Sequence, residues 1–212
     1  MDQPRIDPDT LNPGDFNTIY TDEDHLLTNC VIRDVTLPAT TLTHPIFDHV
    51  YFQNVTFTGW TFDRLEVADV RFEHCDFSNC HFEGASLFRT HFDGCKLVGL
   101  DLTKSVLNNV QFTNCRLDLA ILCELKMKVV SFQQSKLTDA SLMTNQFSRV
   151  RFTACQLNQA SFNETNLKGV DLSSCEFERL DVDLKLVRGL QVNLYQAANL
   201  ATFLTGIEVK SD

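Results

Sequence analysis

Stepping through the chain five residues at a time from Leu27 meets a large apolar side chain at every step as far as Phe177. Of these 31 consecutive positions, 28 are Leu or Phe, and no insertion or deletion interrupts the count. Fourteen of the 17 Phe lie on this register. A second register sits two residues earlier and holds small or β-branched residues, such as Val50, Val70, Ala85, Thr90, Val110, Ala120, Val130, Ala140, Val150, Ala160 and Val170. Seven of the eight cysteines fall there (Cys30, Cys75, Cys80, Cys95, Cys115, Cys155 and Cys175), which reads as small buried side chains. Six of the eight glycines, with Asn29, Asn54, Asn79, Asn109 and Asn114, sit two residues after the Leu or Phe. Gly and Asn tolerate a left-handed backbone, so each five-residue unit is expected to end in a turn.

A period of five suits neither an α-helix at 3.6 nor a strand at 2. It suits a short extended piece followed by a corner, four of which close a square coil with one large and one small residue pointing inward from each side. Coils stacked at roughly 4.8 Å then place like residues above like. Reading every twentieth residue tests this within the sequence. Phe52, Phe72, Phe92, Phe112, Phe132 and Phe152 form one unbroken ladder, and Cys75, Cys95, Cys115, Ser135, Cys155 and Cys175 form another. The expected fold is all-β, a right-handed quadrilateral β-helix of about eight coils over residues 25–192. An irregular segment (1–24) precedes it and could cover its first end, and a short C-terminal helix and strand (193–212) follow. Trp60, in a small-residue slot, predicts a local bulge or an outward flip. Pro45 and Asn145 are milder exceptions, and Lys185 marks fraying toward the C-terminal cap.

Composition narrows the function. With 28 Asp and Glu against 18 Lys and Arg, a formal net charge of −10, direct nucleic-acid binding is not expected. No apolar stretch approaches the roughly 18 residues of a membrane span, and the first residues lack the order of a secretory signal. Free thiols in a reducing, cytoplasmic setting are therefore expected. No nucleophile elbow, phosphate-cradling loop or HExxH motif occurs, and a filled coil leaves no substrate pocket, so an enzyme is not expected. No cofactor is called for. The stretch His74-Cys75-Asp76-Phe77-Ser78-Asn79-Cys80-His81 has the residue types of a zinc site, but the register turns Cys75 and Cys80 inward and His74 and His81 outward. No metal is expected there. Cys123, off the small-residue register, is expected to face outward as the best candidate for a modifiable thiol.

Units such as Ala85-Ser86-Leu87-Phe88-Arg89, Cys75-Asp76-Phe77-Ser78-Asn79 and Ala160-Ser161-Phe162-Asn163-Glu164 resemble the pentapeptide-repeat family, over about residues 27 to 192. That resemblance implies the right-handed quadrilateral β-helix. Beyond Val192 the spacing turns helical at Leu200, Phe203, Leu204 and Ile207, with Asn193 and Gln196 as N-cap and capping box and Gly206 as the stop. A Tyr-Gln-Ala start at Tyr195, a Leu-rich helix and a closing Gly-Ile-x-Val strand resemble the Qnr quinolone-resistance proteins and the related microcin immunity protein. The resemblance implies a homodimer joined end to end through Tyr195, Leu200, Phe203, Leu204 and Ile207. It also implies binding to DNA gyrase or topoisomerase IV by a rod that imitates duplex DNA, protecting the enzyme from quinolones or a peptide toxin. The loops that interrupt plasmid-type members are absent from this chain, so their function is not carried over.

Charge sets a condition on that reading. A rod of eight coils is roughly 40 Å long, and 40 Å of duplex DNA carries roughly 24 charges. Residues 25–194 hold 19 acids and 16 bases. The four sides differ, however. One carries Asp63, Glu83, Asp101, Glu124, Glu164, Asp181 and Asp183 against Arg64 and Lys104, and is the expected contact side. Another carries Arg89, Lys126, Lys128, Arg149, Lys168, Lys185 and Arg188 against Asp48, Glu66 and Asp69. The alternative function is a pentapeptide-repeat scaffold that binds some other protein.

Overall fold

The computed structural model describes residues 1–207 and Val209. The chain coils into a quadrilateral parallel β-helix. An eight-residue strand recurs every twenty residues as β2 (Leu26–Arg33), β4 (Ile46–Gln53), β6 (Glu66–Glu73), β7 (Ser86–Asp93), β8 (Val106–Thr113), β9 (Lys126–Gln133) and β10 (Gln146–Thr153). These strands pair in parallel with partners twenty residues apart: Ile32 with Phe52, Phe52 with Phe72, Phe132 with Phe152. Each long strand covers two adjacent sides and bends at a left-handed residue such as His49, Asp69 or Asn109. The other two sides are narrower. One contains β3 (Thr41–Thr43) paired with β5 (Thr61–Asp63), continued by single bridges from Thr61 through His81, Asp101, Ile121, Ser141 and Ser161 to Asp181. Their corners close with tight turns, as where the Cys80 amide donates to the Phe77 carbonyl at 3.1 Å.

The strand pattern spans about seven turns, one fewer than the pentad count implies. Past Thr153 the coil holds only through bridges and turns. The usual step from an amide to the carbonyl nineteen residues on slips to twenty at Gln159 to Arg179 and again at Gly169 to Gly189. Lys185 is exposed there, consistent with fraying.

Inside, the Phe register forms a column of rings. From Phe52 through Phe72, Phe92, Phe112 and Phe132 to Phe152 the centroids are 4.8–5.0 Å apart and the planes within 16° of parallel. The coil spacing imposes this distance, which suits offset stacking. Across the corners the contacts are edge-to-face, as between Phe72 and Phe77 at 5.1 Å and 88°.

The small-residue register does more than fill space. Cys75, Cys95, Cys115 and Cys155 each donate Sγ–H to the carbonyl of the Phe 23 residues earlier, Ser105 and Ser135 do the same with hydroxyls, and the Thr165 hydroxyl donates likewise to the Leu142 carbonyl. Asn145 fits for that reason. Its Nδ2 donates to the Leu122 carbonyl at 2.8 Å, and its Oδ1 accepts the Leu125 amide at 2.7 Å. The hydrogen bonds offset the desolvation of these buried polar groups, which unpaired would cost about 1–3 kcal/mol each.

Trp60 departs from expectation. It neither bulges nor flips outward but is fully buried, lying against Phe62 at 5.0 Å with Nε1 donating to the Leu37 carbonyl at 3.3 Å. Room exists because Thr40, the residue at the same position one coil earlier, is exposed. Phe16 closes the space edge-on, at 5.6 Å and 89°. Phe16 and Ile19 belong to a short 3₁₀ helix, Phe16–Tyr20, that seals the first end, with β1 (Asn12–Pro13) paired onto β2. Residues 1–5 do not cover that end. They run along the outside of the rod, where the Asp2 amide donates to Asn109 Oδ1 and the Arg5 amide to Asp69 Oδ1.

At the other end, α1 (Leu194–Thr205) starts at the Asn193 cap with both halves of the capping box formed and stops at Gly206, whose φ is +73°. Gln196 is buried and donates Nε2–H to the carbonyls of Leu172 and Cys175, tying the helix to the last coil. Of the strand expected over 206–209, Gly206, Ile207 and Val209 are not in a strand, and Glu208 lies outside the described residues.

The ring column predicts where the rod is least tolerant. Phe92→Ala, at its centre, is expected to cost about 3–5 kcal/mol in urea unfolding. Phe147→Ala, half-buried and outside the column, should cost clearly less. Equal losses would mean that the stacking is not what holds the coils together.

Candidate protein-binding side and C-terminal end

The coil register places Asp63, Glu83, Asp101, Glu124, Glu164, Asp181 and Asp183 on one side of the rod, the side of the single bridges from Thr61 to Asp181. They do not form a bare carboxylate row. Asp63 faces Arg64 Nε at 3.5 Å, Glu83 accepts from Lys104 Nζ at 2.8 Å, and Asp181 accepts from Arg179 at 3.3 Å. The Glu83 hydrogen bond raises the Lys104 pKa above its ordinary value. Asp101 accepts from the Thr103 amide and hydroxyl, with His81 Nδ1 3.8 Å away. Asp183 accepts the Glu164 amide at 2.7 Å, and Glu164 accepts from the Thr144 hydroxyl. Exposed pairs of this kind are weak individually, but they lower the outward field of the side.

The middle of the side is apolar, which charge counting missed. Leu119 and Ile121 are 59% and 42% exposed, with half-buried Cys123 two residues on and half-buried Met143 on the next coil. Cys123 turns outward and lies 3.1 Å from the Ser141 hydroxyl, so it is only partly open to solvent. The signal was present in the outward residues of a single coil, Leu119, Ile121 and Cys123, had they been read in register.

The basic side is also less free than its sequence implies. Arg89 is mostly buried and joined through both nitrogens to Asp69, with Nε at 2.6 Å from Oδ1, and its guanidinium lies over the Phe88 ring at 3.8 Å. Burial would raise the Asp69 carboxyl. The Arg89 hydrogen bonds, the Arg5 amide and the charges of Arg89 and His49 outweigh it and hold the pKa below the ordinary carboxylate value. Asp48, His49 and Asp69 bring donor atoms within 4.8 Å of one another, yet Asp69 is already committed to Arg89. Cys75 and Cys80 are buried while His74 and His81 are exposed, so these four do not converge.

At the C-terminal end, Leu200 is buried against the last coil and Leu204 is half-buried, so these two hold the helix to the rod. Leu194, Tyr195, Phe203 and Ile207 are 89%, 67%, 44% and 58% exposed, apolar side chains that the other described residues leave largely uncovered. Arg179 lies over the Phe203 ring at 4.6 Å. No helix among the described residues is long and apolar enough to cross a membrane.

A filled β-solenoid of five-residue units, with its chemistry confined to outward side chains, defines a repeat protein that works through its surface. The chain belongs to the pentapeptide-repeat family: models of the pentapeptide repeat region and of pentapeptide repeats in eight copies match residues 65–142 and 146–180, together more than half of the chain. It is 30% identical over 115 residues to the uncharacterized protein YisX of Bacillus subtilis (strain 168), a match over 54% of this chain and 53% of that one. The chain thus spans about half the length of that relative. Among solved structures it is similar to HetL of Nostoc sp. strain PCC 7120, a pentapeptide repeat protein involved in heterocyst differentiation regulation, at 15% identity over 86% of this chain and 93% of that one, TM-score 0.47. It is also similar to full-length QnrB1, a plasmid-mediated fluoroquinolone resistance protein, at 17% identity over 82% and 99%, TM-score 0.42.

The buried Asp69 predicts a defined acid sensitivity. Its carboxyl is depressed on folding, so its stabilisation is complete above the unfolded pKa, near 4, and is lost as pH falls through the lower folded value. Between about pH 4 and pH 2 the wild type is expected to lose more unfolding free energy than Asp69→Asn. Parallel stability curves for the two proteins would show that the pair with Arg89 contributes nothing.

Proposed function

We propose that this chain is a non-catalytic binding rod that docks on a basic protein surface through its acidic side, and that the protein is DNA gyrase or topoisomerase IV, shielded from quinolones or a peptide toxin. The observation that carries the reading is the acidic side itself, which runs from Asp63 to Asp183 along the length of the rod. Fields of opposite sign would steer it onto a saddle built for duplex DNA. The resemblance of the segment from Tyr195 to Val209 to Qnr proteins supports the choice of enzyme. The filled interior gives a substrate nowhere to sit, which supports the absence of catalysis.

A second copy would cover Leu194, Tyr195, Phe203 and Ile207 and roughly double the rod. Four large exposed apolar side chains at one end of the rod are what such a contact would bury. A scaffold for some other protein is the second reading, favoured by the ion pairs that already neutralise part of the acidic side.

Titrating the purified protein into a gyrase supercoiling assay with a quinolone present is expected to restore supercoiling. Glu83→Lys combined with Asp101→Lys should shift the titration by about tenfold or more while leaving the fold intact. Restoration undiminished by the double reversal would remove the electrostatic contact, and no effect of the wild type would favour the scaffold.

Light scattering tests the end-to-end pair. Tyr195→Asp with Phe203→Asp, both on the exposed face, is expected to halve the mass of the wild type. Leu200 is unsuitable for this test, because its burial in the rod would confuse loss of pairing with loss of the helix.

A further inference from the structure

Folding does not account for the apolar residues at the middle of the acidic side. Leu119 occupies a corner with φ +61°, a backbone state that crowds any side chain with a Cβ. The two corners before it in the stack hold Asn79 and Gly99 and the one after it holds Asp139, residues that suit that state or the solvent. Among the described residues with positive φ, only Leu119 and Val129 have a branched aliphatic side chain. Ile121 is out of keeping in its own stack, where Thr61, His81, Asp101, Ser141, Ser161 and Asp181 occupy the other coils. The fold would be served at both places by the residues found one coil away, and each instead carries exposed hydrocarbon.

Most of what surrounds the pair is negative, although Arg116 lies 3.5 Å from Asp118 and Lys104 stands one coil before Glu124. Asp101 is bridged directly to Ile121, Asp118 precedes Leu119, Asp139 is one coil on at the same corner, and Glu124 is three residues past Ile121. Among the described residues, Glu124 and Asp139 make no ion pair. An apolar centre ringed by charges that can be desolvated or paired is the layout of a binding hot spot.

From this we infer that Leu119 and Ile121, with Met143 beside them, form a docking point for a partner protein that presents a protruding apolar side chain between lysines or arginines. The inference rests on the acidic side being the docking side. It adds a contact that duplex DNA has no counterpart for, so part of the affinity persists when salt screens the charges.

The test uses the full chain labelled at Leu, Ile and Met methyl groups and two synthetic peptides. One carries a single Trp between clusters of Lys and Arg, and the other has Ala in place of Trp at the same charge. The Trp peptide is expected to shift the methyl resonances of Leu119, Ile121 and Met143 and to bind at least tenfold tighter than its Ala counterpart in physiological salt. Leu119→Asn with Ile121→Ser should abolish that advantage while leaving the Ala peptide unaffected. Both replacements copy residues the rod uses one or two coils away, and Asn relieves the corner, so thermal stability is expected to hold or rise. Equal binding of the two peptides, or of the wild type and the variant, overturns the inference, as does a drop in the protein's own mass on making the variant, which would assign the patch to a second copy. Immobilised DNA gyrase serves as a separate arm. Its failure to bind the wild type removes the topoisomerase reading, while the peptide arm still decides the patch.

Discussion

The rest of the structure depends on the twenty-residue hydrogen-bond register. Along the sides, amides bond alternately to carbonyls of the coil after and the coil before, so residues twenty apart are fixed within about 5 Å of one another. A single inserted residue would throw every later coil out of phase and turn the inward register to solvent, which is why the run from Leu27 to Phe177 tolerates none. The same spacing turns the Phe column into a set of offset stacks and brings most small-register Cys, Ser and Asn side chains under the carbonyl of a Phe or Leu one coil away.

That spacing also constrains the surface charge. Identical carboxylates at the same position of successive coils would stand about 5 Å apart and repel. The acidic side stacks only Asp63 on Glu83 in this way, each beside a cation, and staggers the rest. Asp63 and Glu83 follow the inward residue, Asp101 and Asp181 precede it, and Glu124 and Glu164 sit at the corner two residues after it. Cations are placed between them, at Arg64, Lys104 and Arg179. A pentapeptide rod of this composition therefore cannot match the charge density of duplex DNA, roughly one per 1.7 Å. It can match the direction of the field and must draw specificity from elsewhere on the same side.

Most of the fold was legible because the inward pattern has one period and no exceptions that matter. The capping box at Asn193 and Gln196 and the stop at Gly206 were legible because they are local hydrogen-bond chemistry. Trp60 was misread because its slot was judged by the average coil, whereas the coil before it ends in exposed Thr40 and Phe16 returns from the N-terminal segment to complete the pocket. The pairing of Asp69 with Arg89, and the strap of residues 1–5 laid beside it, depend on side-chain reach between coils, which a count of charges per side does not contain. The apolar patch was hidden for the opposite reason. Only one coil carries Leu119 and Ile121, and a search for what repeats passes over what occurs once.

The two ends of the rod differ in a way that bears on how it works. An open solenoid end exposes unpaired backbone and core side chains, and both must be covered. The first end is sealed from within the chain by Phe16, Ile19 and Trp60. Among the described residues, the last is closed only in part. Gln196 satisfies the final carbonyls and Leu200 covers the core, but the helix that brings them also turns Leu194, Tyr195, Phe203 and Ile207 outward. Covering one apolar surface by exposing another makes sense if the second surface is met by a matching one. The copy proposed above, related by a two-fold axis at this end, would supply such a match and would leave each acidic side, with its apolar centre, free along its whole length for a different partner.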